Sequence, residues 1–427
     1  EISLVTSSKS DKNIKIIKSS KDNKNRKIFK FDRQAKQFTK PKLNEQAAYL
    51  ESRNLLPVIF FFFSRERVES SSRQLANKMS VIENKNDIKD KYNEVFKDLT
   101  PEEINLLNLD EHMWMWSRGV GFHHAGLAPI VKEFVEYLFL NRYIKYLFAT
   151  ETLALGINMP AKSIYIDRLH KYDGIKTRPL TQSEFLQLSG RAGRRGIDDK
   201  GFAFLSYDKS VNREWYSNLF TLKPNDLISA FSVNYSSILN LLNIYNEDEA
   251  VELLRKSFFA YQYMYKTDKL EKLFSAKYGV LNQLGFLNSD KGLVLTQTYR
   301  DNLIPAIYLF NKEKNKDIEF KLMYISSGIT NERAEFALND KFDSLLSSFN
   351  SSLELVNKTE VANGVGKPMK LNFSWFSVFY EYMKTSNIEY VINKFGLNIG
   401  DFIKVAKEAS ELSKKLAVIY SDTEFEE

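Results

Sequence analysis

A run of six apolar residues constrains the fold of this chain more than any other feature. Residues 58–63 read VIFFFF, and consecutive β-prone residues of this kind predict a strand that is buried on both faces of a sheet. An amphipathic pattern predicts a helix over 65–79 directly after it. Further strands are predicted at 143–148, 163–166 and 201–207, and helices at 129–140 and 182–189. Strands that alternate with helix-length connections are typical of a parallel α/β sheet with helices on both faces.

The pattern changes after residue 208. Long helical patterns occupy 226–243 and 247–265, and a helix predicted over 270–284 precedes two short β runs around the turn at 288–292. Helices followed by a hairpin indicate a winged-helix domain. From residue 304 the periodicity is helical again, with a loop at 350–366, and no internal repeat is found. The predicted divisions are 1–50, 51–208, 209–302 and 303–427.

Composition narrows the class of protein. The chain has no cysteine, which excludes disulfides, thiolate catalysis and cysteine-bound metals and favours a reducing, cytoplasmic location. Sixty-one Lys and Arg residues against 54 Asp and Glu residues give a net charge of +7, which suits a polyanionic partner. The longest apolar run, 55–63, is too short to cross a membrane. Residues 6–42 are rich in Ser, Lys and Asn, and we expect a mobile basic segment there.

The sharpest local motif is QLSGRAGRRGID, residues 187–198. Thr181 and Glu184 form a Thr-x-x-Glu capping box, which predicts that a helix begins at this point and carries the arginines toward its far end. Arg191 and Arg194 would then share one helical face, where two guanidiniums could grip one phosphate. Arginines on exposed helices often serve only solubility. Glycines inside a helix lower its stability, however, so their presence here suggests that close packing or a ligand requires them.

Two further motifs follow predicted strands. The segment FATETLALGINMP, residues 148–160, places Thr150 at the carboxyl edge of the sheet, where hydroxyls and helix amides can hold a phosphate; an ordinary helix cap is the alternative for this threonine. His123 and His124 lie next to each other on a strand and should point to opposite faces, so a shared metal is excluded and none is predicted in this chain. For His124 two interpretations are open: a histidine whose hydrogen bonds are made within the protein, or a histidine that contacts a phosphate.

These motifs, in this order after Ser64 and Arg65, resemble the second RecA-like lobe of superfamily 2 helicases. The match looks closest to the superkiller-type (Ski-family) DExH RNA helicases and their bacterial HelY-like relatives. The resemblance continues through the segment before the winged helix to a helical tail that is similar to their ratchet or DSHCT region. It implies a RecA-like lobe followed by a winged-helix domain and an α-helical bundle.

The resemblance also implies roles for individual residues. Arg191 and Arg194 would be arginine fingers on the γ-phosphate of ATP, and Gln187 would position the nucleotide or the attacking water. Gly156 and Asn158 would lie beside the nucleotide. Five residues would follow the nucleic-acid backbone: Ser64, Arg65, His124, Thr150 and Thr152. For the finger role, both guanidiniums should face an open surface and should not be held in local ion pairs.

The first half of such an enzyme is not found in the sequence. No P-loop motif occurs, and Asp110-Glu111-His112 lacks the spacing of a DExH box. We therefore expect that a first RecA-like lobe, with most of the ATP and Mg²⁺ site, precedes residue 1, and that the present chain alone does not hydrolyse ATP. The arch insertion of the eukaryotic members is also missing, so binding of adaptors through an arch is not expected.

The function implied is that of an ATP-dependent helicase that translocates on single-stranded RNA and separates duplexes, with a nuclease as a further partner. A DNA helicase of related architecture is one alternative. A nucleic-acid-binding scaffold that has lost catalysis is another, although paired phosphate-binding arginines argue against it.

Overall fold

The structure is a computed structural model. It describes residues 2–8, 14–21, 27–29, 38–39, 41–154, 159–172, 176–194, 196–206, 227–262, 267–289, 292, 295–296, 303, 326, 342–365 and 373–422. The chain divides into two compact units. The first contains Glu1–Asp226 together with Asn398–Asp401, and the second contains Leu227–Leu397 and Phe402–Glu427.

The first unit is built from strands and helices in alternation. Its strands are β1 (Ile2–Ser8), β2 (Ile14–Lys21), β3 (Lys27–Phe29), β4 (Phe38–Thr39), β5 (Val58–Phe61), β6 (Val120–His123), β7 (Tyr146–Ala149), β8 (Ser163–Ile166), β9 (His170–Tyr172), β10 (Thr177–Pro179) and β11 (Phe202–Ser206). Its helices are α1 (Leu43–Ser52), α2 (Arg65–Ala76), α3 (Lys85–Val95), α4 (Pro101–Leu106), α5 (Leu109–Trp116), α6 (Pro129–Leu140) and α7 (Gln182–Ser189), with a 3₁₀ helix at Glu151–Ala154.

The centre of the first unit is a parallel sheet. Its parallel strands lie in the order β1-β11-β8-β5-β7-β6, and β5 pairs with both β7 and β8. Every residue of β5 is buried, and the Phe60 ring stacks on the ring of Phe148 in β7 with centroids 4.9 Å apart. The α/β class and the parallel sheet predicted from the sequence are confirmed.

The segment before residue 42 differs from the prediction. We expected a mobile basic segment over 6–42, but the structure places β2, β3, β4 and the last three residues of β1 within it, and β1 pairs parallel to β11 and antiparallel to β2. The composition-based prediction is therefore wrong for these strands. The sequences ISLVTSS and IKIIKSSK contain β-branched residues that alternate in part with polar ones, and this local pattern decides the backbone conformation rather than the lysine content.

The second unit is helical in the residues described. Its helices are α8 (Tyr235–Leu242), α9 (Glu247–Arg255), α10 (Phe258–Gln262), α11 (Thr267–Gln283), α12 (Asp343–Ala362), α13 (Ser374–Thr385), α14 (Ile388–Phe395) and α15 (Ile399–Asp422), and the first three residues of α15 belong to the first unit. They share one apolar core, which includes Phe274, Phe286 and Phe376. Within this core the Tyr235 hydroxyl donates to the Glu360 carboxylate at 2.7 Å.

The hairpin of the predicted winged helix is not found among the described residues near 288–292. Gly292, Leu295 and Thr296 are helical instead. The Gly292 amide donates to Ser289 Oγ at 3.2 Å, and an amide bonded to a serine three residues earlier is the geometry of a helix N-cap. A serine cap of this kind favours a helical conformation at Gly292.

No helix in the described part of the chain has both the length and the apolar character that crossing a membrane requires.

Candidate functional site

Four parallel strands of the first unit end at one edge of the sheet. Ser64 closely follows β5, His124 follows β6, Thr150 follows β7 and Asp167 follows β8. Because parallel strands present their carboxyl ends at the same edge, the fold brings three separate sequence motifs to one place.

Thr150 and Thr152 present their hydroxyls together at this edge. The two Oγ1 atoms are 2.8 Å apart and form one hydrogen bond, and the Thr152 side chain is exposed. Thr150 also begins the short 3₁₀ helix, since its carbonyl accepts from the Leu153 amide at 3.1 Å. The helix-start role is therefore present, and the hydroxyl pair remains placed where a phosphate oxygen could bind.

Ser64 and Arg65 are engaged by the protein itself. Ser64 is the N-cap of α2, where its Oγ accepts from the Arg67 amide at 3.5 Å. The Arg65 guanidinium pairs with the carboxylate of Asp401, which belongs to the same unit, and Nη2 donates to Oδ1 at 3.1 Å. Contact of either residue with a nucleic acid would require the ligand to share or replace these partners.

His124 is a buried, satisfied side chain. It is 1% exposed; its Nδ1 accepts from the Gly126 amide at 3.0 Å, and its Nε2 donates to Glu69 Oε1 at 3.0 Å. The hydrogen bond from His124 lowers the pKa of Glu69 in spite of its burial. The contact of His124 with a nucleic-acid backbone stays a prediction, and because the ring is 1% exposed it would require the neighbouring side chains to move.

The two adjacent histidines contact different helices, and only His123 lies in β6. His123 contacts Glu136 of α6 at 2.9 Å, whereas His124 bonds to Glu69 of α2. Burial lowers the pKa of His123. The hydrogen bond with Glu136 acts in the opposite direction and offsets this shift only in part. The rings do not converge on a common ligand.

The arginine-rich motif lies beyond a helix, not on one. The capping box is confirmed, since Thr181 Oγ1 accepts from the Glu184 amide at 3.3 Å and the Glu184 carboxylate accepts from the Thr181 amide at 2.8 Å. However, α7 ends at Ser189, and Gly193 and Gly196 have φ angles of +93° and +77°. The prediction that Arg191 and Arg194 share a helical face is therefore wrong. The glycines permit a left-handed loop rather than close helix packing.

The loop is bound to the segment that follows the threonine pair. Arg191 Nη2 donates to the Ala154 carbonyl, while the Ala161 amide donates to the Arg191 carbonyl at 2.9 Å and the Gly193 amide donates to the Ala161 carbonyl at 2.8 Å. The Arg191 guanidinium is thereby attached to the end of the 3₁₀ helix that begins at the threonine pair.

Arg194 is held by a local ion pair. Its Nε and Nη2 donate to the two oxygens of Asp198, each at 2.7 Å, and its side chain is 15% exposed. The hydrogen bond from Arg194 lowers the pKa of Asp198 although burial opposes this shift. Arg194 does not meet the expectation of an open guanidinium, because the Asp198 carboxylate binds two of its N–H donors.

The remaining predicted residues are placed as follows. Gln187 is exposed near the end of α7. Gly156 and Asn158 lie outside the described residues.

Sequence analysis missed a group of ion pairs around the small hairpin of β9 and β10. Lys171 Nζ lies 2.7 Å from Glu151 Oε2 and 2.8 Å from Glu184 Oε1, and Arg178 binds both oxygens of Glu184 at 2.9 Å. The hydrogen bonds from Arg178 hold the pKa of Glu184 well below its usual range, with a further contribution from Lys171. No sequence spacing connects these four residues, so only the fold reveals them.

Comparison with known proteins finds relatives over about half of the chain. It is 38% identical over 212 residues to the exosome RNA helicase MTR4 of Mus musculus, covering 49% of this chain and 20% of the relative. It is 38% identical over 220 residues to the DExH-box ATP-dependent RNA helicase DExH9 of Arabidopsis thaliana (51% and 22%). It is 35% identical over 228 residues to the probable helicase HelY of Mycobacterium tuberculosis (53% and 25%). No protein-family model matches the chain. The match spans about a fifth to a quarter of the length of these relatives.

Proposed function

We propose that this chain, a relative of the Ski-family DExH helicases over about half of its length, contributes the second RecA-like lobe of an ATP-dependent RNA helicase. The residues after this lobe would form the winged-helix and ratchet-like parts. The second unit is helical, and this supports the helical character of these parts. A first lobe that supplies a P-loop and holds Mg²⁺ would complete the enzyme.

One observation carries the proposal: the segment with the threonine pair and the loop with Arg191 are bound to each other at the carboxyl edge of a parallel sheet. Arg191 Nη2 reaches the Ala154 carbonyl, two residues beyond Thr152, and the backbones pair at Ala161 and Ala192. A nucleotide contact and a strand contact that are bonded to each other are what a motor needs to convert ATP turnover into movement.

The donors at this edge fit an anionic ligand. Arg194 already binds a carboxylate through two parallel N–H donors, which is also the geometry that recognises a phosphate. We propose that Asp198 is replaced by the γ-phosphate when the two lobes close, and that Arg191, Arg194 and Gln187 then face ATP together with Gly156 and Asn158. ATP with Mg²⁺ would supply the free energy of hydrolysis. The chain's own guanidiniums would neutralise charge on the transferred group.

RNA would be held through its backbone at the threonine pair. Thr150 and Thr152 would donate to phosphate oxygens, with Ser64 and Arg65 beside them after exchange of their present partners. Contacts of this kind grip a strand without reading its sequence. We prefer RNA to DNA because the relatives above are named RNA helicases.

The test is the replacement Arg191→Ala in the full-length protein. Loss of the guanidinium should reduce RNA-stimulated ATP hydrolysis by about 10³-fold or more, as expected for an arginine finger. Affinity for single-stranded RNA, measured by fluorescence anisotropy, should stay within about threefold.

The matched control is Arg53→Ala, which removes an exposed arginine at the end of α1 and should leave turnover unchanged. Unchanged turnover in Arg191→Ala would contradict the finger role. Stronger stimulation by single-stranded DNA than by RNA would favour a DNA helicase.

The Arg194–Asp198 ion pair also favours a second candidate, a nucleic-acid-binding scaffold that has lost catalysis, because a permanently paired arginine cannot bind ATP. Strand binding by a full-length protein that shows no ATP turnover would support this candidate.

A further inference from the structure

Lys171 lies between the two segments that the proposed motor has to couple. Its Nζ is 2.7 Å from Glu151 Oε2, beside the threonine pair, and 2.8 Å from Glu184 Oε1, in the first turn of α7. The Lys171 side chain is 13% exposed and that of Glu184 is 21% exposed, whereas Glu151 is 39% exposed. One ammonium group thus bridges two segments that are 33 residues apart, Glu151 in the first and Glu184 in the second.

The hairpin presents two cations to the same carboxylate. In the register of β9 and β10, Lys171 lies directly opposite Arg178, an arrangement that is repulsive without an intervening anion. Glu184 binds both, and Glu151 adds a second negative charge. The four side chains carry no net charge, and removal of Lys171 leaves Glu151 without the only ion-pair partner that the described residues give it.

Glu184 connects Lys171 to the arginine loop. Its Oε2 accepts from the Thr181 amide at 2.8 Å and from Thr181 Oγ1 at 3.0 Å, so the carboxylate that Lys171 contacts also fixes the start of α7. Helix α7 is only eight residues long and leads through Gly190 directly to Arg191. A change at its first turn therefore reaches the guanidinium through a short, rigid element.

We propose that Lys171 is a positioning residue that couples RNA contact at Thr150 and Thr152 to the placement of Arg191. This inference rests on the proposed function of the two segments. RNA that pulls on the threonine pair moves Glu151; Lys171 passes this displacement to Glu184 and hence to the arginine loop. The ion pairs keep the ammonium charged, since the hydrogen bonds with Glu151 and Glu184 raise the pKa of Lys171 although burial acts to lower it.

The experiment uses Lys171→Met in the full-length protein, which keeps the length of the side chain and removes its charge. We expect the ratio of RNA-stimulated to RNA-free ATP turnover to fall about tenfold, because a small misplacement of a catalytic group has an effect of this size or larger. Affinity for RNA should change by less than about threefold. The loss of stimulation should therefore appear in the kcat measured with RNA, and the RNA concentration that gives half of the maximal stimulation should stay nearly the same.

Two controls separate positioning from simple structural damage. Lys145→Met removes an exposed lysine before β7 and should change neither quantity, and Lys171→Arg should restore at least half of the stimulation. The effects of Lys171→Met and Glu151→Gln should also be less than additive, since both break one ion pair.

A second readout does not depend on ATP. In the 427-residue chain, amide hydrogen exchange at Leu153 and Ala154 should be faster in Lys171→Met than in the wild type, and unchanged in Lys145→Met. Normal stimulation together with normal exchange in Lys171→Met would overturn the inference. A wild-type protein that shows no RNA-stimulated turnover would overturn the proposed function, and this inference with it, which is a different result from an active but unaffected variant.

Discussion

At the scale of single residues, burial decides the charge state of His112. His112 is 2% exposed and lies between Trp116 and Phe122, with ring centroids 5.2 and 4.7 Å away. Its Nδ1 has no hydrogen-bond partner among the described residues. Burial lowers the pKa of His112 from 6.5 to about 4. The ring is therefore an aromatic packing element that is neutral at physiological pH.

This pKa predicts a loss of stability in mild acid. Below pH 6.5 the unfolded chain protonates His112 and the folded chain does not, so the free energy of unfolding falls until the pH reaches about 4. Between pH 7 and pH 5 the loss from this residue is about 2 kcal/mol. His112→Phe should remove that part of the pH dependence, as measured by urea denaturation at both pH values. An equal pH dependence in wild type and variant would contradict the buried neutral state.

At the scale of elements, one close backbone approach fixes the arginine loop. A Cβ atom at Gly201, just before β11, would lie 2.3 Å from the carbonyl carbon and oxygen of Ala192 and 2.5 Å from the Gly193 nitrogen. Such distances cannot be relieved by a rotamer change because the atoms are backbone. The loop is therefore seated on the start of β11 and held from the other side by Ala161.

Gly201→Ala should displace this loop from the start of β11. The Gly193 amide, which donates to the Ala161 carbonyl at 2.8 Å, should exchange with solvent at least about tenfold faster, and stability should fall by about 1–3 kcal/mol, as overpacking typically causes. Gly196→Ala is the control: it strains a φ of +77° but meets no atom within 4 Å. Equal exchange at Gly193 in both variants would show that the close contact does not hold the loop.

At the scale of the whole molecule, the excess of basic residues gives a prediction for RNA binding. The chain carries a net charge of +7. Binding that neutralises phosphates releases counterions, and three phosphate contacts on a single strand reduce affinity roughly tenfold or more between 50 and 200 mM salt. The full-length protein should show this dependence on a single-stranded RNA, measured by anisotropy titration. An affinity that does not change with salt would mean that the positive charge does not serve strand binding.

The sequence by itself determined the parallel sheet and the start of α7. Six consecutive apolar residues predict β5, and Thr181 with Glu184 predicts a helix start, because both are local patterns that act over a few residues. It also identified the threonine pair and the arginine motif, since these residues follow strands and helices in a recognisable order. The strands before residue 40 were missed because composition was weighed above local alternation.

Only the tertiary structure decided what these side chains do. His124 is separated by 55 residues from Glu69, Arg191 by 37 from Ala154, and Lys171 by 13 from Glu184, and no local pattern encodes such partners. Burial, which encloses His124 and keeps His112 neutral, depends on helices packed from elsewhere in the chain. Local sequence sets the backbone conformation, whereas the charge state and the availability of a side chain depend on the neighbours that folding brings to it.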